Sequence, residues 1–364
     1  MLIQIICVSI VLFIIQFFFY RLKLHKLFLY VLPTISLCYM VYAIFQLVRE
    51  QALVNSSIPL ALKIIFMLLP IMLSLIGMII CIVKKYMHIE NKGKIRFIVM
   101  RQFLSFLLVM LIILSVTVYT AQEYVVFFPN KSDQDTETLR NDVRFQEITI
   151  KDTYRGWLKE SESSDTIIVY FGGNAQNTAS TFLQFQKLGI FDFMENYSFL
   201  SIDYPSYGNS NGSLSQDSLF TMADDVMTYV QQRFPDKSID LIGYSIGTGI
   251  ASYAASHQEL HKFVLIAPYN NGQDLFNTYF PIFHGPLAYL IRYPLTSDAY
   301  VKQVTCDTLI LMSEADSIVP MRLSKKLLAS FTIDPKTIVY QKDAHEDLVS
   351  ERKPWEAIVD FLND

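Results

Sequence analysis

The sequence predicts a mostly parallel α/β domain, its sheet covered by helices on both faces, preceded by four membrane-spanning helices. Three observations predict it. Charge is split along the chain: residues 1–120 hold eleven Lys/Arg and two acids (Glu50 and Glu90), a balance of +9, and the remainder holds nineteen Lys/Arg and thirty-two acids, a balance of −13. Apolar runs long enough to cross a bilayer are confined to the first third. Beyond it, strand-length runs of β-branched and aromatic residues alternate with helical segments, the signature of a parallel sheet with crossover helices.

Composition excludes other classes. Of 364 residues, 52% are hydrophobic and 18% charged, the reverse of the low hydrophobicity and high charge of disordered chains. A net charge of −4 and the absence of a dense basic run argue against nucleic-acid binding.

The four spans are Leu2–Tyr20, Leu27–Val48, Ile64–Val83 and Phe97–Tyr119, each near the roughly 20 helical residues that a bilayer core requires. The first lacks the basic start and small-residue cleavage site of a signal peptide. Arg101 lies near enough to the start of its span to snorkel to the headgroups. Pro33 and Pro70 are tolerable where neighbouring helices re-satisfy the backbone. The loops Arg21–Lys26 and Lys84–Arg96 are basic and the Arg49–Ser57 loop is not. The positive-inside rule therefore places both termini, and the acidic domain, outside the cytoplasm. The spans carry no acid and no charge pair, which favours an anchor over a channel or transporter. Three cysteines, Cys7, Cys38 and Cys81, fall in the spans and Cys306 is alone in the acidic domain, so that domain can form no internal disulfide. No Cys or His spacing suits a metal, and no cofactor is expected.

Residues 122–144 read as a linker and 145–364 as the domain. Glu147–Lys151 and Tyr154–Leu158 suggest an opening antiparallel pair. Thr166–Phe171 is a buried strand by its unbroken apolar run, followed by a glycine turn and a helix over Ser180–Leu188. The pattern continues with strand Ser198–Asp203, helix Ser215–Phe234, strand Ile239–Gly243, helix Gly247–Ser256 and strand Phe263–Ile266. After an irregular stretch come strand Thr308–Met312, helix Met321–Ser330, strand Thr337–Gln341 and helix Pro354–Leu362. The irregular stretch, about 270–304 and rich in Phe and Tyr (Phe276, Tyr279, Phe280, Phe283, Tyr289), fits a cap over the C-terminal edge of the sheet, where ligands bind in such folds.

Gly243-Tyr-Ser-Ile-Gly247 lies between a predicted strand and a predicted helix, the context of a nucleophile elbow. A turn this tight excludes side chains at the flanking positions, lifts the Ser245 hydroxyl above the sheet and aims the Ile246 amide into the site. Serine is a weak nucleophile and needs a base oriented by a carboxylate, which in this arrangement follow in the order acid, then histidine. His345 lies just past the last strand and is the expected base. His25 and His88 lie in the predicted cytoplasmic loops, His257 and His261 on the wrong sheet edge, and His284 in the cap ahead of the acid. For the acid, Asp316 leads with Glu314 in reserve, and Asp343 could also reach the base. The Ile246 amide would be one oxyanion donor, and the loop Phe171–Asn177, whose paired glycines admit close backbone approach, should supply the other.

The domain resembles an α/β-hydrolase, in the branch of bacterial membrane-attached hydrolases and protein depalmitoylases. The resemblance rests on Tyr170-Phe-Gly-Gly-Asn-Ala-Gln-Asn177, Asp203-Tyr-Pro-Ser-Tyr-Gly-Asn-Ser-Asn-Gly-Ser213, Gly243-Tyr-Ser-Ile-Gly-Thr-Gly-Ile-Ala251, Glu314-Ala-Asp-Ser-Ile-Val-Pro320 and His345. It covers about 145–362 and leaves the four spans aside. It implies Ser245 as nucleophile, Asp316 as orienting acid, His345 as base, and the Asn174 and Ile246 amides as oxyanion donors. Two departures stand out. The family carries His-Gly-Asn where this chain has Gly172-Gly173-Asn174, so the hydrogen bonds of a bracing histidine must come from elsewhere. It also carries His-Gly where this chain has Met312-Ser313. The expectation is a membrane-anchored serine hydrolase that cleaves an ester or thioester, with an amide as a further option, in an apolar or acylated substrate. The alternatives are a catalytically silent ligand-binding or sensor domain on a membrane protein.

Overall fold

The computed structural model describes residues 126–364 apart from Phe280, with scattered helical positions between Ile35 and Gln122. The chain divides into two units, Met1–Val125 and Val126–Asp364. Apart from those scattered positions, the four predicted spans lie outside the described residues, among which no helix is long and apolar enough to cross a membrane.

The second unit is built on one eight-stranded sheet. Its strands are β1 (Gln146–Ile150), β2 (Tyr154–Lys159), β3 (Thr166–Phe171), β4 (Ser198–Ile202), β5 (Ser238–Tyr244), β6 (Lys262–Ile266), β7 (Asp307–Ser313) and β8 (Lys336–Tyr340). Their order is β1-β2-β4-β3-β5-β6-β7-β8. β1 and β2 form the expected hairpin, Gln146 opposite Leu158 and Ile150 opposite Tyr154. β2 also runs antiparallel to β4, and every pair from β4 to β8 is parallel.

The interior strands lack polar alternation because both sheet faces are covered. Along β3, Ile167, Val169 and Phe171 enter one core, while Ile168 and Tyr170 enter the other. The first core is closed by helices α3 (Gln216–Arg233) and α4 (Gly247–Ala255), through Leu219, Met222, Val226, Ile250 and Ala254. The second is closed by α2 (Thr178–Lys187) and the last helix, α7 (Arg352–Asn363), whose Trp355 packs edge-on against Phe185 with ring centres 4.6 Å apart. Capping explains the helix starts: the Asn177 side chain accepts from the Ser180 amide, and Ser215 and Ser218 cap α3 reciprocally.

Part of the stretch expected to be a linker is structured. Ser132 caps helix α1 (Asp133–Arg140), whose Thr136 and Leu139 are buried. The expected cap is inserted between the C-terminal end of β6 and β7. It holds helix α5 (Gly272–Tyr279), a 3-10 turn over Gly285–Leu290 and a short helical turn over Ser297–Tyr300. That turn, the 3-10 turn and the single turn Ile190–Phe193 are too short to leave a periodic trace in sequence. Helix α6 (Met321–Leu328) follows β7 and packs beside the cap, where Arg322 donates to the Thr278 hydroxyl at 2.8 Å.

Candidate active site

At the end of β5 the chain turns sharply into α4, and Ser245 sits in the turn with φ +53, the left-handed region that costs a non-glycine residue strain. The turn is held by its backbone. The Ser245 amide donates to the Ile266 carbonyl at 2.9 Å, and the Ser245 carbonyl accepts the Thr248 hydroxyl at 2.6 Å. The flanking glycines are sterically required: a Cβ on Gly247 would lie 2.2 Å from the Phe171 carbonyl oxygen, and one on Gly243 would lie 2.7 Å from the Ala251 Cβ.

The last two strands bring the distant partners to the same sheet edge. His345 Nε2 lies 2.8 Å from Ser245 Oγ, and His345 Nδ1 lies 2.6 Å from Asp316 Oδ2. The other Asp316 oxygen accepts the Ile318 amide at 2.9 Å and the Val319 amide at 2.7 Å, so the carboxylate is held at both ends. All three side chains are buried. With Asp316 donating to nothing, the Nδ1 proton of a neutral His345 belongs on the carboxylate side, which leaves Nε2 free to accept from Ser245.

The other candidates are placed elsewhere. Glu314 is exposed, and Asp343 meets the site through its backbone, its carbonyl accepting the Ser313 hydroxyl at 2.5 Å. That bond ties the loop of the acid to the loop of the histidine, and the same hydroxyl accepts the Ala315 amide at 3.1 Å. His257 pairs with Asp224 and His261 with Asp240. His284 is exposed in the cap.

The loop after β3 faces the elbow. The Ile246 amide has no acceptor among the described residues. The Asn174 side chain turns away from Ser245: its Oδ1 accepts from the Phe128 amide, the Ala175 amide and the Tyr207 hydroxyl, each at 2.9 Å. Only the Asn174 main chain is therefore left for a ligand. Gly173 lies flat on the Tyr244 ring, where a Cβ would come within 2.6 Å, and the Tyr244 hydroxyl donates to the His345 carbonyl at 3.2 Å.

The turn at Gly172-Gly173 is braced by residues the sequence did not single out for it. Gln176 Oε1 accepts the Gly173 amide at 2.6 Å and the Tyr170 hydroxyl at 3.1 Å. The Tyr204 hydroxyl donates to the Gly172 carbonyl at 2.6 Å. A Cβ on Gly172 would meet Gln176 Oε1 at 3.0 Å, so the glutamine occupies the space that a longer side chain at 172 would claim. Gln176 lies inside the Tyr170–Asn177 motif, four residues after Gly172, and that offset is the sequence signal for it.

Below this loop, Asp203 accepts the Thr178 amide at the start of α2 at 2.7 Å. Burial pushes its carboxyl up to about 6, with the Thr178 amide opposing. Gly208 has φ +46, and a Cβ there would lie 2.0 Å from an Asp203 oxygen, which explains the glycine in Asp203–Gly208.

A family profile described as alpha/beta hydrolase fold matches residues 166–281. The second unit has the alpha/beta-hydrolase fold. Among solved structures, the Pyrococcus furiosus esterase Pf2001 superposes with a TM-score of 0.50 at 16% identity, covering 65% of this chain and 98% of its own, a likeness of fold alone. Among curated proteins, the zebrafish (Danio rerio) lysophosphatidylserine lipase ABHD12 is 27% identical over 197 residues, 47% of this chain and 49% of its own. Human (Homo sapiens) Protein ABHD12B is 31% identical over 179 residues, 44% of this chain and 48% of its own. The chain thus spans about half the length of the curated relatives it matches.

Proposed function

We propose that this chain is a membrane-anchored serine hydrolase that cleaves an ester or thioester through an acyl-enzyme, with Ser245 as nucleophile, His345 as base and Asp316 as orienting acid. The observation that carries the reading is the unbroken relay Ser245 Oγ to His345 Nε2 at 2.8 Å and His345 Nδ1 to Asp316 Oδ2 at 2.6 Å. Such a relay joins three loops and is not needed by a domain that only binds.

In the first half-reaction, Ser245 Oγ attacks the substrate carbonyl carbon as its proton passes to His345 Nε2. The carbonyl oxygen becomes an oxyanion that the Ile246 and Asn174 amides stabilise. Collapse expels the alcohol or thiol, which takes the proton from His345, and leaves the acyl group on Ser245. Water then attacks the acyl-enzyme, gives its proton to His345, and releases the acid as Ser245 is re-protonated. Asp316 accepts the Nδ1–H bond throughout and stabilises the imidazolium.

The substrate class is read from the cap and the acid loop. Tyr279 and Ile282 in the cap and Ile318 in the acid loop are between 44% and 49% exposed, and Tyr289 is 90% exposed. The Tyr279 hydroxyl donates to the Ile318 carbonyl at 2.5 Å, which brings cap and acid loop together. Residues 275–297 contain no Asp or Glu in a domain that is otherwise acidic. An apolar acyl chain suits such a surface, in keeping with the lipase named among the relatives. Anchoring is supported by the four apolar runs of the sequence, and by Phe97, Leu104, Leu108 and Leu111, which are helical and exposed at spacings that share one helix face. Loop charge orients the domain outside the cytoplasm.

The test is fluorophosphonate labelling of the full chain in detergent, beside Ser245→Ala. The expected result is labelling of wild type that is lost in the variant. A folded wild type that takes no label would overturn the reading.

A further inference from the structure

The segment by which the chain enters its second unit, Val126–Asn130, is tied to the loop that carries Asn174. Asn174 Nδ2 donates to the Val126 carbonyl at 2.5 Å. The Phe128 amide donates to Asn174 Oδ1 at 2.9 Å and to the Tyr207 hydroxyl oxygen at 3.0 Å, and that hydroxyl itself donates to Asn174 Oδ1 at 2.9 Å. Two residues on, Asn130 Nδ2 donates to the Ala175 carbonyl at 3.3 Å, and the Asn130 carbonyl accepts the Gly208 amide at 2.9 Å. Phe127 pins the segment from beneath: it is 2% exposed and meets Tyr293 of the cap edge-on at 4.7 Å. Pro129 stiffens the middle by fixing φ.

Both ends of the Asn174 carboxamide are thus occupied by this strap and by Tyr207, at sequence separations of 46, 48 and 33 residues. The loop's own share is the single Ala175 amide bond, made where Ala175 adopts φ +62. A loop that is strained and glycine-rich does not hold one conformation unaided. Oxyanion donors must be placed closely, and a misplacement of about 1 Å can cost on the order of 100-fold in rate.

We infer that Val126–Asn130 is a positioning strap for the reaction proposed above: through Asn174 and Tyr207 it sets where the Asn174 amide points, so the residues that connect the domain to the apolar first third of the chain are part of its catalytic machinery. The inference rests on the hydrolase reading. It also accounts for an asparagine whose side chain never reaches the site: its carboxamide both donates and accepts, and the strap requires both.

The experiment uses the full chain in detergent, p-nitrophenyl butyrate as substrate, and fluorophosphonate titration to count active sites. Tyr207→Phe removes one hydroxyl and little volume. It is expected to lower kcat per titrated site about tenfold, leave KM within about twofold, and keep the thermal midpoint near wild type. Asn174→Ala is expected to lose as much or more, and the double variant no more than Asn174→Ala alone, because Tyr207 acts through Asn174. Asn174→Asp, which keeps the shape and puts an acceptor against the Val126 carbonyl, should also lose kcat. Were Asn174→Ala to misfold, the Tyr207→Phe and Asn174→Asp pair would carry the test. Unchanged kcat per titrated site in Tyr207→Phe, or additive losses in the double variant, would overturn the strap and leave the hydrolase reading intact. A wild type that takes no label would overturn both.

Discussion

Replacing Gln176 by methionine tests whether one carboxamide braces the loop after β3. Methionine is close in length and volume but offers no strong acceptor at Oε1. Two donors then lose their partner: the Gly173 amide, held at 2.6 Å, and the hydroxyl of Tyr170, held at 3.1 Å and 1% exposed. A buried donor left unpaired costs about 1–3 kcal/mol, so the pair sums to about 2–6 kcal/mol. That is a large share of the roughly 5–15 kcal/mol by which domains of this kind are stable. Rate should suffer as well, because Gly173 leads directly into Asn174. Denaturant unfolding followed by the fluorescence of the buried Trp157 and Trp355 would read the stability, and kcat per titrated site the rate. Tyr170→Phe separates the two effects, since it removes only the phenol: it should cost about 1 kcal/mol and leave kcat near wild type. A Gln176→Met variant with an unshifted unfolding midpoint and unchanged kcat would refute the bracing role. So would a Tyr170→Phe variant that lost as much rate.

Further outcomes follow from the structure and from the loop charges. Gly247→Ala places a Cβ against two backbone carbonyl oxygens that no side-chain rotation can clear; it should cost about 1–3 kcal/mol or more by overpacking and remove most fluorophosphonate labelling, and a fully labelled variant of wild-type stability would contradict the account of the elbow. Asp203 has a folded-state value of about 6 against an ordinary 3.8, so its protonated form is favoured by folding; its stabilising contribution is complete below pH 3.8 and is lost as pH rises through 6, amounting to about 3 kcal/mol. Asp203→Asn should therefore flatten the difference in unfolding free energy between pH 4 and pH 7, and an identical pH slope in variant and wild type would count against it. Burial pushes the Cys306 thiol up to about 11, so this cysteine should react slowly with maleimides at neutral pH, whereas Glu162→Cys at an exposed loop should label rapidly with a membrane-impermeant maleimide on intact cells; protection of that site until the cells are opened would place the domain in the cytoplasm instead.

How much of this could be read from the chain divides by distance. Strand and helix positions were legible because burial imprints periods of two and of about 3.6 within short windows. Most ends agreed within two residues, as for α2, expected over Ser180–Leu188 and found over Thr178–Lys187. The elbow was legible for the same reason: Gly243, Ser245 and Gly247 are local, and the steric demand that selects glycine acts within one turn. The order of serine, acid and histidine, each just past a strand, was enough to propose Ser245, Asp316 and His345.

Tertiary structure alone decided what those residues meet. Three acids, Glu314, Asp316 and Asp343, stood within reach of His345 by sequence. Only the parallel pairing of β7 with β8 turns Asp316 toward Nδ1, leaves Glu314 in solvent and presents Asp343 by its carbonyl. The sheet order that inserts β4 between β2 and β3, the glutamine that braces Gly173, and the strap over Asn174 were equally illegible. Each joins residues that sequence periodicity does not relate, as in the 100 residues between Ser245 and His345 or the 46 between Phe128 and Asn174. Which residue types are present is written in the chain, but hydrogen-bond distance across such separations exists only once the sheet has been assembled.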